Sequence, residues 1–74
     1  MTLDLVFVGA DAGRRTLAQL AAEVGIATRL VAQRATHIEV FSVSVLTVEL
    51  DGEAPALDAA RSWIAARGIH RLRG

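Results

Sequence analysis

Residues 17–26 read Leu-Ala-Gln-Leu-Ala-Ala-Glu-Val-Gly-Ile, and the fold assignment rests first on this stretch. Its apolar residues recur at the i, i+3, i+4 and i+7 spacing of one helix face. Gly25 follows the last of them, where a helix commonly ends on a residue that tolerates positive φ. From Ile26 onward, side chains alternate between two faces as in a strand. The stretch therefore predicts a helix over Arg14–Val24 that leads directly into a strand over Ile26–Gln33.

The same arrangement returns near the C-terminus, where residues 60–69 read Ala-Arg-Ser-Trp-Ile-Ala-Ala-Arg-Gly-Ile. Gly68 ends this second helix as Gly25 ends the first. The helix is predicted from Pro55, whose missing N–H costs nothing in a first turn, to about Arg67. A short strand over Ile69–Leu72 follows. The chain thus has two similar halves, each with a helix that ends on glycine before a strand.

Two further strands complete the element order β-α-β-β-α-β. The first covers Thr2–Val8, and the third covers Ile38–Leu50 before a turn at Asp51-Gly52. Residues 34–37 carry no strong turn signal, so the boundary between the second and third strands is left open. Right-handed crossovers place both helices on one face of a four-stranded antiparallel sheet, in the order 4-1-3-2. This is the ferredoxin-like α+β fold.

Composition limits the function classes. The 74 residues suffice for one domain, expected to span 1–74, and a chain this short often needs oligomerisation for stability. Basic and acidic residues number 8 each, so the chain lacks the positive excess that favours nucleic-acid binding. Cysteine is absent, which excludes disulfides and thiolate metal sites. We expect no metal, no cofactor and no membrane insertion, and a cytoplasmic location.

The sheet face opposite the helices is predicted to be unusually apolar. The helix-facing set is expected to contain Leu3, Leu5, Phe7, Leu46, Val48 and Leu50, with Leu30 and Ile69. The other face would carry Val6, Val8, Val31, Val43 and Val45, with Asp4, Arg29, Thr47 and Glu49 among them. An uncovered aliphatic patch of this kind usually marks an interface, here most simply that of a homodimer. The alternative is a register shifted by one residue, which would exchange the two faces of any strand.

Two places offer groups that can bind a small ligand. The loop before the first helix contains Gly9, Ala10, Asp11 and Gly13, whose backbone N–H groups can hold a carboxylate at a helix N-terminus. The alternative is an ordinary strand-to-helix loop. The second place is on the uncovered sheet face, where Arg29 and Val31 are expected to contact the ligand. Arg29 either pairs with Asp4 or Glu49 across the sheet or meets a ligand carboxylate.

No catalytic constellation accompanies these groups. The sequence contains no Ser/His/Asp set and no paired acids in a pocket-like setting, so an enzyme is not expected. The fold's RNA-binding version needs exposed aromatics, its metal-chaperone version a cysteine pair, and its acylphosphatase version an asparagine. The chain has two phenylalanines, no tyrosine, no cysteine and no asparagine.

With these elements in place, the chain resembles the NIL domain, which occurs at the C-terminus of methionine-importer ATPase subunits and in small proteins of sulfur metabolism. The resemblance covers almost the whole chain. It is carried by Leu5–Gly9, Leu17–Ala21, Val24–Ile26, Leu46–Gly52, Ala59-Ala60 with Ile64, and Gly68-Ile69. Two positions depart from the family pattern. Where the family has the tripeptide Asn-Ile-Leu, this chain has Arg29-Leu30-Val31. Where the family usually has a glycine that opens the third strand, this chain has Ser44.

The resemblance implies a small regulatory domain. Transporter-linked relatives dimerise, bind methionine near the dimer interface and inhibit transport when methionine is plentiful. Without a Walker sequence, this chain is expected to be a free-standing relative. It would bind an amino acid, methionine or a related sulfur compound, at or near a homodimer interface. The alternative is a non-catalytic accessory subunit without a ligand, whose apolar sheet face docks on a transporter or an enzyme of sulfur metabolism.

Overall fold

Strands and helices follow each other in the predicted order β-α-β-β-α-β. The computed structural model describes residues 1–9, 12–38 and 40–73. Its elements are β1 (Thr2–Val8), α1 (Ala12–Val24), β2 (Ala27–Ile38), β3 (Phe41–Asp51), α2 (Ala54–Ala66) and β4 (His70–Arg73).

All neighbouring strands of the four-stranded sheet are antiparallel, in the order β2-β3-β1-β4. The predicted order 4-1-3-2 is confirmed. At the centre, β1 and β3 pair without interruption from Thr2 opposite Glu49 to Val8 opposite Val43. Residues directly opposite each other share a sheet face, so this register fixes which side chains face the helices. The predicted assignment of β1 and β3 to their two faces is confirmed.

The boundary between β2 and β3 differs from the prediction. The second strand does not stop at Gln33 but continues to Ile38, where the third strand was expected to begin. Ile38 pairs with Phe41 as the last pair of the β2–β3 ladder, so only residues 39 and 40 lie between the two strands. Residues 34–37 alternate opposite β3 as a strand does. Residues 34–37 carry no turn signal because the strand continues through them.

The core lies between the two helices and the inner face of the sheet. Its buried hydrophobic residues are Leu3, Leu5, Phe7, Leu17, Leu20, Ile26, Leu46, Val48, Leu50, Ala60 and Ile64. Leu30 and Ile69, which were also predicted to face the helices, differ in burial. Ile69 is half-buried against the core, whereas Leu30 is 38% exposed. Leu30 points toward the helix side from an edge strand that α1 covers only in part.

Glycines set how the helices end and how closely α1 approaches the sheet. Gly25 and Gly68 have φ of 72° and 68°, as expected for residues that end helices. Gly13 lies in the first turn of α1, where an added Cβ would be 2.7 Å from Leu46 Cδ2 and 3.0 Å from Phe7 Cδ2. A side chain at this position would push the helix away from the core. No described helix is long and apolar enough to cross a membrane.

Candidate functional site

The open sheet face carries a block of valines, which we call the valine patch: Val6, Val8, Val43 and Val45. Val6 lies directly opposite Val45, and Val8 directly opposite Val43. Val8 is 65% exposed, and the other three are half-buried. Because the two central strands contribute equally, the patch lies midway between the two sheet edges, at the end of the face where β1 finishes. Its use as a dimer interface stays a prediction.

Hydrogen bonds tie down the acidic end of the same face. The Thr47 hydroxyl donates to Asp4 Oδ1 at 2.6 Å, and the Thr2 hydroxyl donates to Glu49 Oε2 at 3.0 Å. Both carboxylates lie at the level where β1 begins, away from Val8 and Val43. The face thus has an acidic, hydrogen-bonded end and an apolar end.

A β-bulge in β2 changes which residues share a face. Leu30 pairs with Val48 and Ala32 with Thr47, so Val31 is the extra residue between them. Val31 is 53% exposed, at the margin of the open face. Without the bulge, residues five positions apart would lie on opposite faces. With it, Arg29 lies opposite Glu49 and Arg34 opposite Val45, so both arginines belong to the open face.

Arg29 makes no ion pair in the described part of the chain, although Glu49 is its cross-strand neighbour. Glu49 accepts its hydrogen bond from Thr2. The salt bridge considered from the sequence is therefore not formed. Arg34 is likewise exposed and makes no ion pair among the described residues. Two guanidinium groups therefore remain on this face for an anionic partner, and Arg34 is the one beside the valine patch.

The loop predicted to bind an anion is described in part. Ala10 and Asp11 lie outside the described residues. The N–H of Gly9 donates to the Ser42 carbonyl at 2.9 Å, and Gly13 is packed against the core. Both glycines therefore have structural roles. Their use in ligand binding stays a prediction.

The predicted ligand residues do not form one cluster. Gly9 is level with Ser42 at one end of β3, and Arg29 is level with Glu49 near the other. At about 3.3 Å per residue, seven residues of strand put roughly 23 Å between these levels. Ser44, one of the two departures from the family pattern, is buried at 3% opposite Phe7 on the helix side.

A groove between α1 and β2 is the concave site that sequence reasoning missed. It has a volume of about 240 Å³ and is lined by Arg14, Leu17, Ala18, Ala21, Thr28 and Leu30. The Arg14 guanidinium donates to Gln33 Oε1 at 3.3 Å, and the Thr28 hydroxyl donates to the Ile26 carbonyl at 3.2 Å. The signal available in the sequence was Leu30, an apolar residue on the helix side of an edge strand.

The family model of the NIL domain matches residues 1–71. No curated protein matches the sequence.

Proposed function

This chain belongs to the NIL domain family, a family of small regulatory domains, and we propose that it binds a free amino acid and acts as a homodimer. The ligand we propose is methionine or a related sulfur compound, and the domain reports its presence without catalysing a reaction. The observation that carries the proposal is the groove between α1 and β2, where the Arg14 guanidinium lies beside aliphatic side chains.

The groove suits an amino acid in size and in chemistry. Its volume of about 240 Å³ is below the roughly 300–1,000 Å³ typical of pockets for drug-sized ligands. Arg14 offers a charge-assisted hydrogen bond to a carboxylate. Leu17 and Leu30 offer apolar contact to an unbranched side chain such as that of methionine. Loss of the weak 3.3 Å bond to Gln33 is a small cost against a salt bridge with a carboxylate.

The valine patch supports the homodimer. An uncovered block of aliphatic side chains on the central strands is the kind of surface that a small domain buries on association. A two-fold axis through the patch would place the same four valines of each copy, Val6, Val8, Val43 and Val45, against those of the other. A chain of 74 residues gains from such burial, since its own core is small.

The strand β2 connects the two proposed sites. Thr28 and Leu30 face the groove, while Arg29 and Arg34 belong to the open face next to the valine patch. A ligand that orders β2 from the helix side therefore also fixes the side chains at the margin of the dimer interface. This supplies a route by which an amino acid changes what the open face binds.

A thermal-shift titration tests the amino-acid part of the proposal. The protein is titrated with each L-amino acid and with D-methionine. A ligand at 100 times its Kd stabilises by about 2.7 kcal/mol, which in a domain this small raises Tm by roughly ten degrees. We expect a rise with L-methionine or a close sulfur analogue and none with D-methionine. Arg14→Gln should abolish the rise, and Arg15→Gln, a neighbouring exposed arginine that does not line the groove, should keep it.

The competing function is an accessory subunit that docks through the valine patch and has no ligand. The valine patch favours this alternative as directly as it favours a homodimer. No shift with any amino acid at several millimolar, together with a monomer in solution, would support this alternative against the sensor.

A further inference from the structure

The edge strand β2 is unusually open. It has a strand neighbour on one side only, and with 12 residues it is longer than β3, β1 and β4, with 11, 7 and 4. Natural sheets keep edge strands short or protect them with proline, lysine or a bulge, because a bare edge pairs with other chains. Every side chain described from Arg29 to His37 is exposed. Within β2 the devices of this kind are the bulge at Val31 and, in place of lysine, the charged side chains of Arg29 and Arg34.

Beyond the bulge, β2 is regular. Residues 32–38 pair one for one with residues 47–41 of β3. A regular run of this length presents alternating outward N–H and C=O groups, as a fifth strand requires. The bulge therefore limits the available edge to these seven residues without closing it.

The charge of this edge selects the partner. Within β2 there are two arginines, Arg29 and Arg34, and no acidic residue, although the whole chain has zero net charge. The bulge places both guanidinium groups on one face. Neither forms an ion pair within residues 1–9, 12–38 and 40–73. An incoming strand with carboxylates on that face would satisfy both.

A second copy of the same strand fits this edge poorly. Two β2 strands that pair antiparallel about a two-fold axis bring together two strands that have arginines and no acids. In the register centred on residues 32–38, Arg34 of each copy lies opposite Thr36 of the other, so neither guanidinium meets a carboxylate.

We propose that residues 32–38 of β2 accept an extended acidic segment of another protein as a fifth strand. Backbone hydrogen bonds to the edge supply the binding energy, as in other β-augmentation complexes. Carboxylates on alternate residues of the segment lie on the open face, where they meet Arg34 and, past the bulge, Arg29. Apolar residues of the segment alternate with them and lie next to Gln33 and Ala35. This interaction does not depend on the proposed amino-acid site.

The test uses the isotope-labelled full chain and synthetic peptides with blocked ends. The probe is Glu-Val-Glu-Val-Glu-Val-Glu, matched to the length of the run. One control replaces each glutamate by lysine; the other keeps the sequence but carries an N-methyl group on every peptide nitrogen, so that the charge remains but the peptide cannot donate to the ladder. We expect amide shift changes and slowed hydrogen exchange at alternate residues of 32–38 with the first peptide. Its affinity should exceed that of either control by at least about tenfold.

Variants separate charge recognition from simple edge binding. Arg34→Gln should weaken binding of the glutamate–valine peptide by about threefold to tenfold, and Arg15→Gln should leave it unchanged. Both arginines are exposed, so both variants should fold, which a thermal melt checks. The proposal is overturned by any of three results. These are equal binding of the N-methylated peptide, shift changes spread over Arg61 in α2 and Arg67 after it, or concentration-dependent protection of β2 in the peptide-free protein, which would identify a second copy as the occupant.

Discussion

Arg29 and Arg34 lie on the same face of β2 because Val31 between them is an extra residue with no partner in β3. Removing this residue restores regular alternation without moving any pair on either side. We expect deletion of Val31 to change the free energy of unfolding by less than about 1 kcal/mol, because no core residue moves. Urea denaturation of the variant and the parent chain measures this difference in the free energy of unfolding. Deletion of Thr47 from β3 is the matched control and should cost several kcal/mol, since it turns Leu46 out of the core. Equal costs for the two deletions would contradict this account of the bulge.

The second prediction concerns the approach of α1 to the sheet at Gly13. Gly13→Ala should lower stability by about 1–3 kcal/mol, although alanine favours helix, because its Cβ would meet Leu46 Cδ2 at 2.7 Å. A double-mutant cycle by chemical denaturation tests the cause. In a Leu46→Ala background the clash is relieved, so Gly13→Ala should become neutral or stabilising. Additive effects of the two substitutions would show that contact with Leu46 is not the reason.

The third prediction concerns the hydrogen bond from Thr47 to Asp4. This bond is short, at 2.6 Å, and joins two half-buried residues of the central strands. Thr47→Val keeps the shape and leaves the carboxylate without this donor. The expected loss of stability is about 1 kcal/mol. Thr2→Val removes the corresponding bond to Glu49 at 3.0 Å in an exposed setting and should cost less than about 0.5 kcal/mol. Thermal and urea unfolding of both variants give the comparison, and an equal loss for both would contradict the role of burial.

The fourth prediction concerns the valine patch as a dimer interface. Val8 is 65% exposed, so Val8→Asp should leave the fold intact and convert the dimer into a monomer. Analytical ultracentrifugation measures the mass across a range of protein concentrations. Val40→Asp makes the same change at an 87% exposed position in the hairpin turn and should remain dimeric. A Val8→Asp variant with unchanged mass would move the interface away from the patch.

The fifth prediction concerns Arg67, which joins the two helices. Its guanidinium lies 4.0 Å from the centre of the Trp63 ring and 3.1 Å from Glu23 Oε2 on α1. Arg67→Ala should lower stability by about 1 kcal/mol through the loss of ring stacking and side-chain packing. It should also shift the emission of the single tryptophan, which fluorescence records directly. Arg61→Ala removes an exposed 3.7 Å pair with Asp58 and a hydrogen bond from Arg61 Nε to Met1 Sδ at 3.2 Å. It should change stability by less than about 0.5 kcal/mol and leave the emission unchanged.

The topology could be predicted from the sequence because local patterns show where both helices end. Local patterns also show which residues of β1 and β3 face the helices. Gly25 and Gly68, each followed by isoleucine, determine where two strands begin, and strict alternation assigns Leu3 and Val6 to opposite faces. The predicted length of β2 was wrong because the connection to β3 has no turn dipeptide. Without one, the sequence of residues 34–38 does not show where one strand ends and the next begins. A bulge leaves no local signal either, so the face of Arg34 became known only from the pairing of β2 with β3.

The candidate groove was missed for a related reason. Burial of Leu30 depends on how far α1 extends over the edge strand, and helix periodicity carries no information on that distance. The sequence predicts Arg14 at the start of the first helix, but its place beside Thr28 and Leu30 follows from the packing of α1 on β2. The pairing of Gly9 with Ser42 was beyond sequence reasoning because it depends on where β1 ends relative to β3.

The burial of Ile26 gives β2 an uneven stability along its length. Ile26, at 4% exposure, anchors the start of the strand in the core, while the far half of β2 rests on one neighbouring strand and has exposed side chains. Local opening of the sheet should therefore begin at the hairpin and run back toward Ala27, and the amides of residues 34–38 should exchange well before those of β1. The stretch of β2 that is free to pair with another chain is then also the first stretch to detach. Occupation of that edge would suppress the lowest-energy opening of the fold while leaving its global unfolding nearly unchanged.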